Sequence, residues 1–291
     1  PYNSIFRTSN PQNNMSAFVS VKDQKSGKTI LGAEDGVNQS YCDLLFYVDA
    51  TPGSSIDDPE RPSIPDEGDK EEPKPDEDEN VTGTLAFEDI WPSGGDYDMN
   101  DVIVEYERKV YFDKKNIVTK IVDEFTPVHD GATYVNAFAY QIDAAQIGDK
   151  ITLPEGAILE KETSSIIVMS NAKQNIGNKY VVTREFNGSF LKNQLLSYNP
   201  YIIVKYSQGE QNRTEVHLPK HKATAYANQS LIGSNDDAYY IDRKGAYPFA
   251  IDIPMLGFTP VTERNRIDSQ YPGFATWAKS MGNDCKDWYK K

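Results

Sequence analysis

Asp96, Asp98 and Asn100 stand at alternate positions behind Gly94-Gly95, and Asp101 follows them directly. Such a run offers only oxygen ligands. Hard cations of the calcium type take six to eight oxygens at roughly 2.3 to 2.6 Å, and Asp and Asn side chains on a tightly turning backbone converge on one point. The opening Asp-x-Asp-x-Asn matches that of an EF-hand loop, and Glu107 falls at its twelfth position. The sixth position is Asp101 where an EF-hand has Gly, and Val102-Ile103-Val104-Glu105-Tyr106 reads as strand rather than helix. An EF-hand is therefore excluded. Glu88 and Asp89, at the end of the preceding strand, are expected to supply the remaining carboxylates. The alternative is a set of Asx turns in an exposed hairpin. Six acids and amides between Glu88 and Asp101 would repel one another without a cation, which favours the metal.

A second, degraded copy precedes it. Leu31-Gly32-Ala33-Glu34-Asp35, a short loop, and Tyr41-Cys42-Asp43-Leu44-Leu45-Phe46 align with Leu85-Ala86-Phe87-Glu88-Asp89, a longer loop, and Met99 to Val104. Asn38, Gln39, Tyr41 and Cys42 replace the acids, so only Glu34, Asp35 and Asp43 are left for a second, weaker metal site, which is expected as readily empty as occupied.

Other chemistry has less support. His217 and His221 are four apart, but Pro219 between them breaks the helix that a zinc pair of this spacing uses. No Gly-x-Ser-x-Gly, phosphate-cradling loop or paired-cysteine motif is present. Glu155, Glu160 and Glu162 are the acids nearest a glycosidase-like pair, in segments that read as polar loops. Trp91, Tyr97, Tyr239 and Tyr240 lie in or beside polar loops, where aromatic faces could stack on sugars or simply pack in a core.

The elements that position these residues read as β. The chain has 291 residues, 38% hydrophobic and 11% aromatic, with 18 Tyr and 12 Phe against 3 Trp. That balance suits sheets. Strands are expected at 83–88, 101–112, 117–125, 133–143, 164–169, 180–184, 200–206 and 247–253, which implies an all-β sandwich or jelly roll. Helical patterns are short, at 143–147, 190–196 and around 274–281. In the last, Phe274, Trp277, Ala278 and Met281 form a stripe suited to docking on the sandwich.

Between Thr51 and Asn80 six prolines sit among acids, a composition unable to bury a core. It divides the chain into 1–50, the tail of an upstream β domain or an added β layer, an acidic linker at 51–80, and a main domain at 81–291. Residues 57–80 carry twelve acids against three bases, so −9 of the net charge of −14 belongs to the linker. The rest is near neutral and has no basic stripe, which argues against nucleic-acid binding. The longest apolar runs, such as Ile166 to Met169, are strand-sized and cannot span a membrane as a helix. Pro1 without a charged-then-apolar leader fits a trimmed chain or a fragment. Cys42 and Cys285 give no spacing signal for a disulfide.

Leu85-Ala86-Phe87-Glu88-Asp89-Ile90-Trp91-Pro92, followed by Gly95 to Val102, resembles the signature of LruC-domain proteins, which are secreted or attached to bacterial outer membranes. The likeness continues in His217-Leu218-Pro219, Ala250 to Pro254, Tyr271-Pro272-Gly273-Phe274 and Asp287-Trp288-Tyr289, and residues 31–50 resemble the end of a companion domain. The resemblance implies an all-β fold, export, and a calcium role for Glu88, Asp89, Asp96, Asp98, Asn100 and Asp101. It implies no catalytic residues. The expected function is thus a calcium-binding, non-enzymatic cell-surface or adhesion module whose further partners are surface glycans or proteins. A carbohydrate-binding module is the alternative, and a glycoside hydrolase ranks below it.

Overall fold

The computed structural model describes residues 18–23, 29–33, 44–48, 63–64, 76–188 and 190–290. The chain forms two compact units, Pro1–Lys74 and Pro75–Lys291. In the first, β1 (Phe18–Asp23), β2 (Thr29–Ala33), β3 (Leu44–Val48) and β4 (Ser63–Ile64) make one sheet in the order β3-β2-β1-β4. Strand β4 pairs in parallel with β1, inside the stretch whose composition reads as linker. Glu34, Asp35, Asp43 and Cys42 lie outside the described residues.

The second unit is an all-β sandwich. Its six-stranded sheet contains β5 (Asp76–Phe87), β6 (Val102–Phe112), β7 (Val118–His129), β9 (Lys150–Thr152), β12 (Tyr180–Glu185) and β15 (Ala250–Ile253), in the order β15-β5-β6-β7-β12-β9. The five-stranded sheet contains β8 (Ala137–Gln141), β10 (Ile158–Glu160), β11 (Ser165–Met169), β13 (Asn199–Val204) and β14 (Thr214–His217), in the order β10-β11-β8-β13-β14. All pairings between named strands of this unit are antiparallel. The eight strands expected after residue 80 are present. Strand β5 starts at Asp76, earlier than the linker composition suggests, because residues 76–80 extend the ladder along β6 from Phe112 to Lys109.

Alternation builds the core. In β6, Val104, Tyr106, Arg108, Val110 and Phe112 are buried while the residues between them are half-buried. Phe125 of the six-stranded sheet meets Phe138 and Tyr140 of the other at 5.1 and 5.0 Å between ring centroids, and Phe87 meets Phe138 at 6.3 Å. Buried side chains of this kind contribute about 1.5 to 3 kcal/mol each. The same alternation turns Arg108 inward, where its Nε lies 2.5 Å from Asp123 Oδ1. Arg184 Nη2 meets Asp123 Oδ2 at 3.1 Å, and the Tyr140 hydroxyl donates to the same oxygen. Burial pushes the Asp123 carboxyl up, but Arg108 and Arg184 overcome it and hold the group below the usual range.

The expected helices shrink to short turns. Residues 144–146 and 192–194 form single 3₁₀ turns. Helices α1 (Ile267–Gln270) and α2 (Phe274–Lys279) close the chain. Phe274 and Ala278 enter the core, whereas Met281 lies beyond the end of α2 and is 67% exposed, so the docked stripe stops at Ala278. No helix among the described residues is long and apolar enough to cross a membrane. Cys285 is an exposed free thiol.

Candidate metal centre

Strands β5 and β6 pair through Phe87 and Val102, so Glu88 and Asp101 face each other at the base of the loop joining them. The loop is fixed at both ends. Glu88 N–H donates to Phe249 O at 2.9 Å, continuing the ladder towards β15. Trp91, in a cis peptide with Pro92, is buried against Tyr240 at 4.8 Å, and its Nε1 donates to Asp237 Oδ1 at 2.8 Å. Gly94 N–H donates to Asp236 Oδ2. Ile267 N–H, at the start of α1, donates to Tyr97 O at 2.8 Å. Tyr97 and Met99 both adopt φ of 55°, a left-handed conformation that costs free energy for residues with a Cβ. These two reversals turn the backbone between Asp96 and Asn100.

The result gathers Glu88, Asp96 and Asp98, each with a carboxylate oxygen within 4.8 Å of the others. Glu88 is fully buried. Its Oε1 accepts Met99 N–H at 2.7 Å, while Oε2 is buried without a hydrogen-bond partner. A Cβ on Gly95 would stand 2.6 Å from that oxygen, so glycine keeps the space open. Asp98 is 1% exposed, and its Oδ2 accepts Arg264 N–H at 3.0 Å. Burial raises the Glu88 carboxyl well above the usual range, with Asp101, Asp98 and Asp96 adding to the rise. Burial likewise pushes Asp98 up to about 6, with Asp96 and Glu263 contributing. Three acids and no nitrogen or sulfur suit a hard divalent cation, and the unpartnered Glu88 Oε2 is the atom such an ion would satisfy.

The other expected ligands border this trio, Asp101 close enough to raise the Glu88 carboxyl. Asp89, past the end of β5, has partners of its own: its N–H donates to Asp101 Oδ2 at 2.7 Å, and its Oδ2 accepts from Asn136 Nδ2 at 2.8 Å. Asp101 is pushed up to about 8 by burial and then by Asp89. These two acids form a pair of their own. Asn100 donates through Nδ2 to Val261 O at 2.9 Å, and its Oδ1 is buried without a partner. The holding residues Asp236, Asp237 and Arg264 lie more than 130 positions from the loop, beyond any spacing pattern.

Competing sites fare differently. Trp91, Tyr97 and Tyr240 are buried in the core, which leaves Tyr239, 37% exposed, as the accessible ring of that group. Glu160 is bound by both terminal nitrogens of Arg213, at 2.6 and 2.9 Å. His217 is buried on β14 between Glu215 and Asn199.

Among solved structures, the chain is similar to one described as a "Putative lipoprotein" from Bacteroides ovatus, with a TM-score of 0.55 and 19% identity over 73% of this chain and 74% of that one. At that identity the likeness shows a shared fold. No curated protein matches the sequence. Residues 116–289 match the family described as a domain of unknown function, DUF4842, and neither match points to an enzymatic family. The matched segment, most of the sandwich and both helices, places this chain in the DUF4842 family.

Proposed function

We propose that Glu88, Asp96 and Asp98 hold one calcium ion, and that the protein is a non-enzymatic secreted or cell-surface module whose β5–β6 loop the ion rigidifies. The observation that carries this reading is Glu88 Oε2, a fully buried oxygen without a hydrogen-bond partner, set among two further carboxylates. The resemblance to LruC-domain proteins supports export and outer-membrane association, and the description of the Bacteroides ovatus protein agrees with it. Partners at the surface would be glycans or proteins, for which the metal loop acts as a rigid support.

Equilibrium dialysis with radioactive calcium tests the proposal. Sites of extracellular modules bind at about 0.1 to 1 mM. The chain is expected to retain one ion more than its Asp96→Asn/Asp98→Asn variant at saturating calcium. Equal retention by the two proteins overturns the assignment.

A further inference from the structure

Strand β14 carries a buried polar network. The Asn199 amide is oriented by its Nδ2, which donates to the backbone carbonyl of Lys222 at 2.8 Å and to Gln141 Oε1 at 3.2 Å. Asn199 therefore presents its oxygen to His217 Nδ1, 2.8 Å away, and Nδ1 must carry a proton. On the other side, His217 Nε2 lies 2.9 Å from Glu215 Oε2. Glu215 Oε2 also accepts Thr224 N–H, and its Oε1 accepts Arg213 Nε and the Thr224 hydroxyl, both at 2.7 Å. Three donors, the Arg213 guanidinium among them, already meet this carboxylate and hold it ionised, so its remaining lone pair on Oε2 faces Nε2, which must carry a proton as well.

We propose that His217 is a buried imidazolium that latches residues 218–224 onto the five-stranded sheet. Charge balance agrees: with His217 positive, the cluster of Glu160, Glu215, Arg213 and His217 is neutral, whereas a neutral imidazole would leave a net negative charge in the interior. The ring also stacks on Tyr201, 4.4 Å away at 16°, and lies 5.3 Å from Tyr240, two π faces suited to a cation. His221 is the remaining titratable group near the ring, and it and Arg213 oppose the charge. Burial is the largest opposing influence and draws the ring below the ordinary imidazole range; against it stand Glu215 and the Asn199 oxygen, two acceptors fixed by their own bonds. Both partners of His217 grip the same segment, Glu215 through Thr224 and Asn199 through Lys222. That segment supplies Leu218, Pro219 and Lys220 to one wall of a cleft of about 280 Å³ beside Trp277. Loss of the proton would put two lone pairs face to face at Nε2 or Nδ1 and loosen this wall.

Nuclear magnetic resonance of the full chain with ¹⁵N-labelled histidine tests the proposal, with His129→Gln and His221→Gln variants assigning the other two rings. At pH 7.5 both ring nitrogens of His217 are expected to show the imidazolium signature, although a free imidazole with pKa of about 6.5 would be mostly neutral there. The backbone amides of Lys222 to Thr224 are expected to shift together with the His217 ring as pH is raised through its titration. One unprotonated ring nitrogen at pH 7.5 overturns the charge assignment. Amides that stay fixed while the ring titrates overturn the latch.

Discussion

Removing calcium with a chelator at pH 7.5 is expected to lower the melting temperature of the Pro75–Lys291 unit. Two unit charges about 4.8 Å apart repel by about 3.5 kcal/mol at an effective dielectric constant near 20. Three ionised acids at or within that separation would together cost about 10 kcal/mol, comparable with the whole stability of a domain. The metal-free site must therefore take up protons, which is the direction in which Glu88 and Asp98 are shifted. Raised carboxyls contribute stability that is complete below their unfolded values and is lost as pH rises through the folded ones. For Asp98 that window runs from the usual value of 3.8 to about 6. On the proposed assignment calcium would take over from the protons above it. With a dissociation constant of about 0.1 to 1 mM and about 10 mM free calcium, mass action gives about 1.4 to 2.7 kcal/mol. For a unit of this size that corresponds to about 3 to 11 °C. Differential scanning calorimetry with calcium and with chelator reads the shift directly, and repeating it at pH 5 should shrink it. Superimposed scans at pH 7.5 would refute the reasoning, as would an equal calcium shift in Asp96→Asn/Asp98→Asn.

Glu88→Gln keeps an oxygen for Met99 N–H but removes the buried charge, so the chelated variant should melt above the chelated parent and its calcium response should vanish in the same scans. Gly95→Ala sets a methyl group 2.6 Å from Glu88 Oε2, and calorimetric titration should show calcium affinity reduced at least about tenfold, by the 1.4 kcal/mol rule, in a folded protein. Asp123→Ala leaves Arg108 and Arg184 buried without their counter-ion and should cost about 3 to 5 kcal/mol, read as a lower urea midpoint at unchanged slope.

The fold class was legible because its signal is local. Alternation in Val102 to Phe112 and the apolar run Ile166 to Met169 mark strands without knowledge of their neighbours. Strand β14 is not legible because Thr214-Glu215-Val216-His217 shows one apolar residue in four, and its Glu and His are buried through polar partners, Arg213, Thr224, Asn199 and each other, that no alternation pattern marks. Met281 was misplaced because periodicity extends a helical stripe that the chain ends at Lys279, with the Ser280 N–H bonded back to Thr276 O. In the loop, residue types pointed to cation chemistry, but spacing could not tell which acids share a point. Glu88 and Asp89 are neighbours in sequence but take different partners past the end of β5, Glu88 the Met99 N–H and Asp89 the Asn136 amide. The left-handed turns at Tyr97 and Met99, which bring Asp96 and Asp98 to Glu88, carry no glycine to announce them.

The candidate centre is divided between two parts of the chain. Its acids belong to residues 88–98, ahead of the family match that begins at residue 116. Most of the groups that aim and seal them belong to the matched segment: Asp236 and Asp237 on Gly94 and Trp91, Phe249 on Glu88, Val261 on Asn100, Arg264 on Asp98, and Ile267 on Tyr97. Strand β6, which forms the far side of the loop, lies between β5 and β7 in the interior of the six-stranded sheet, so the sandwich cannot be completed from residue 116 onward. An ion bound by Glu88, Asp96 and Asp98 would thus brace the loop that the segment 236–267, more than 130 residues further on, already holds in place. A structural ion, as proposed, would account for the buried acids set among fixed backbone donors beside β5 and β6.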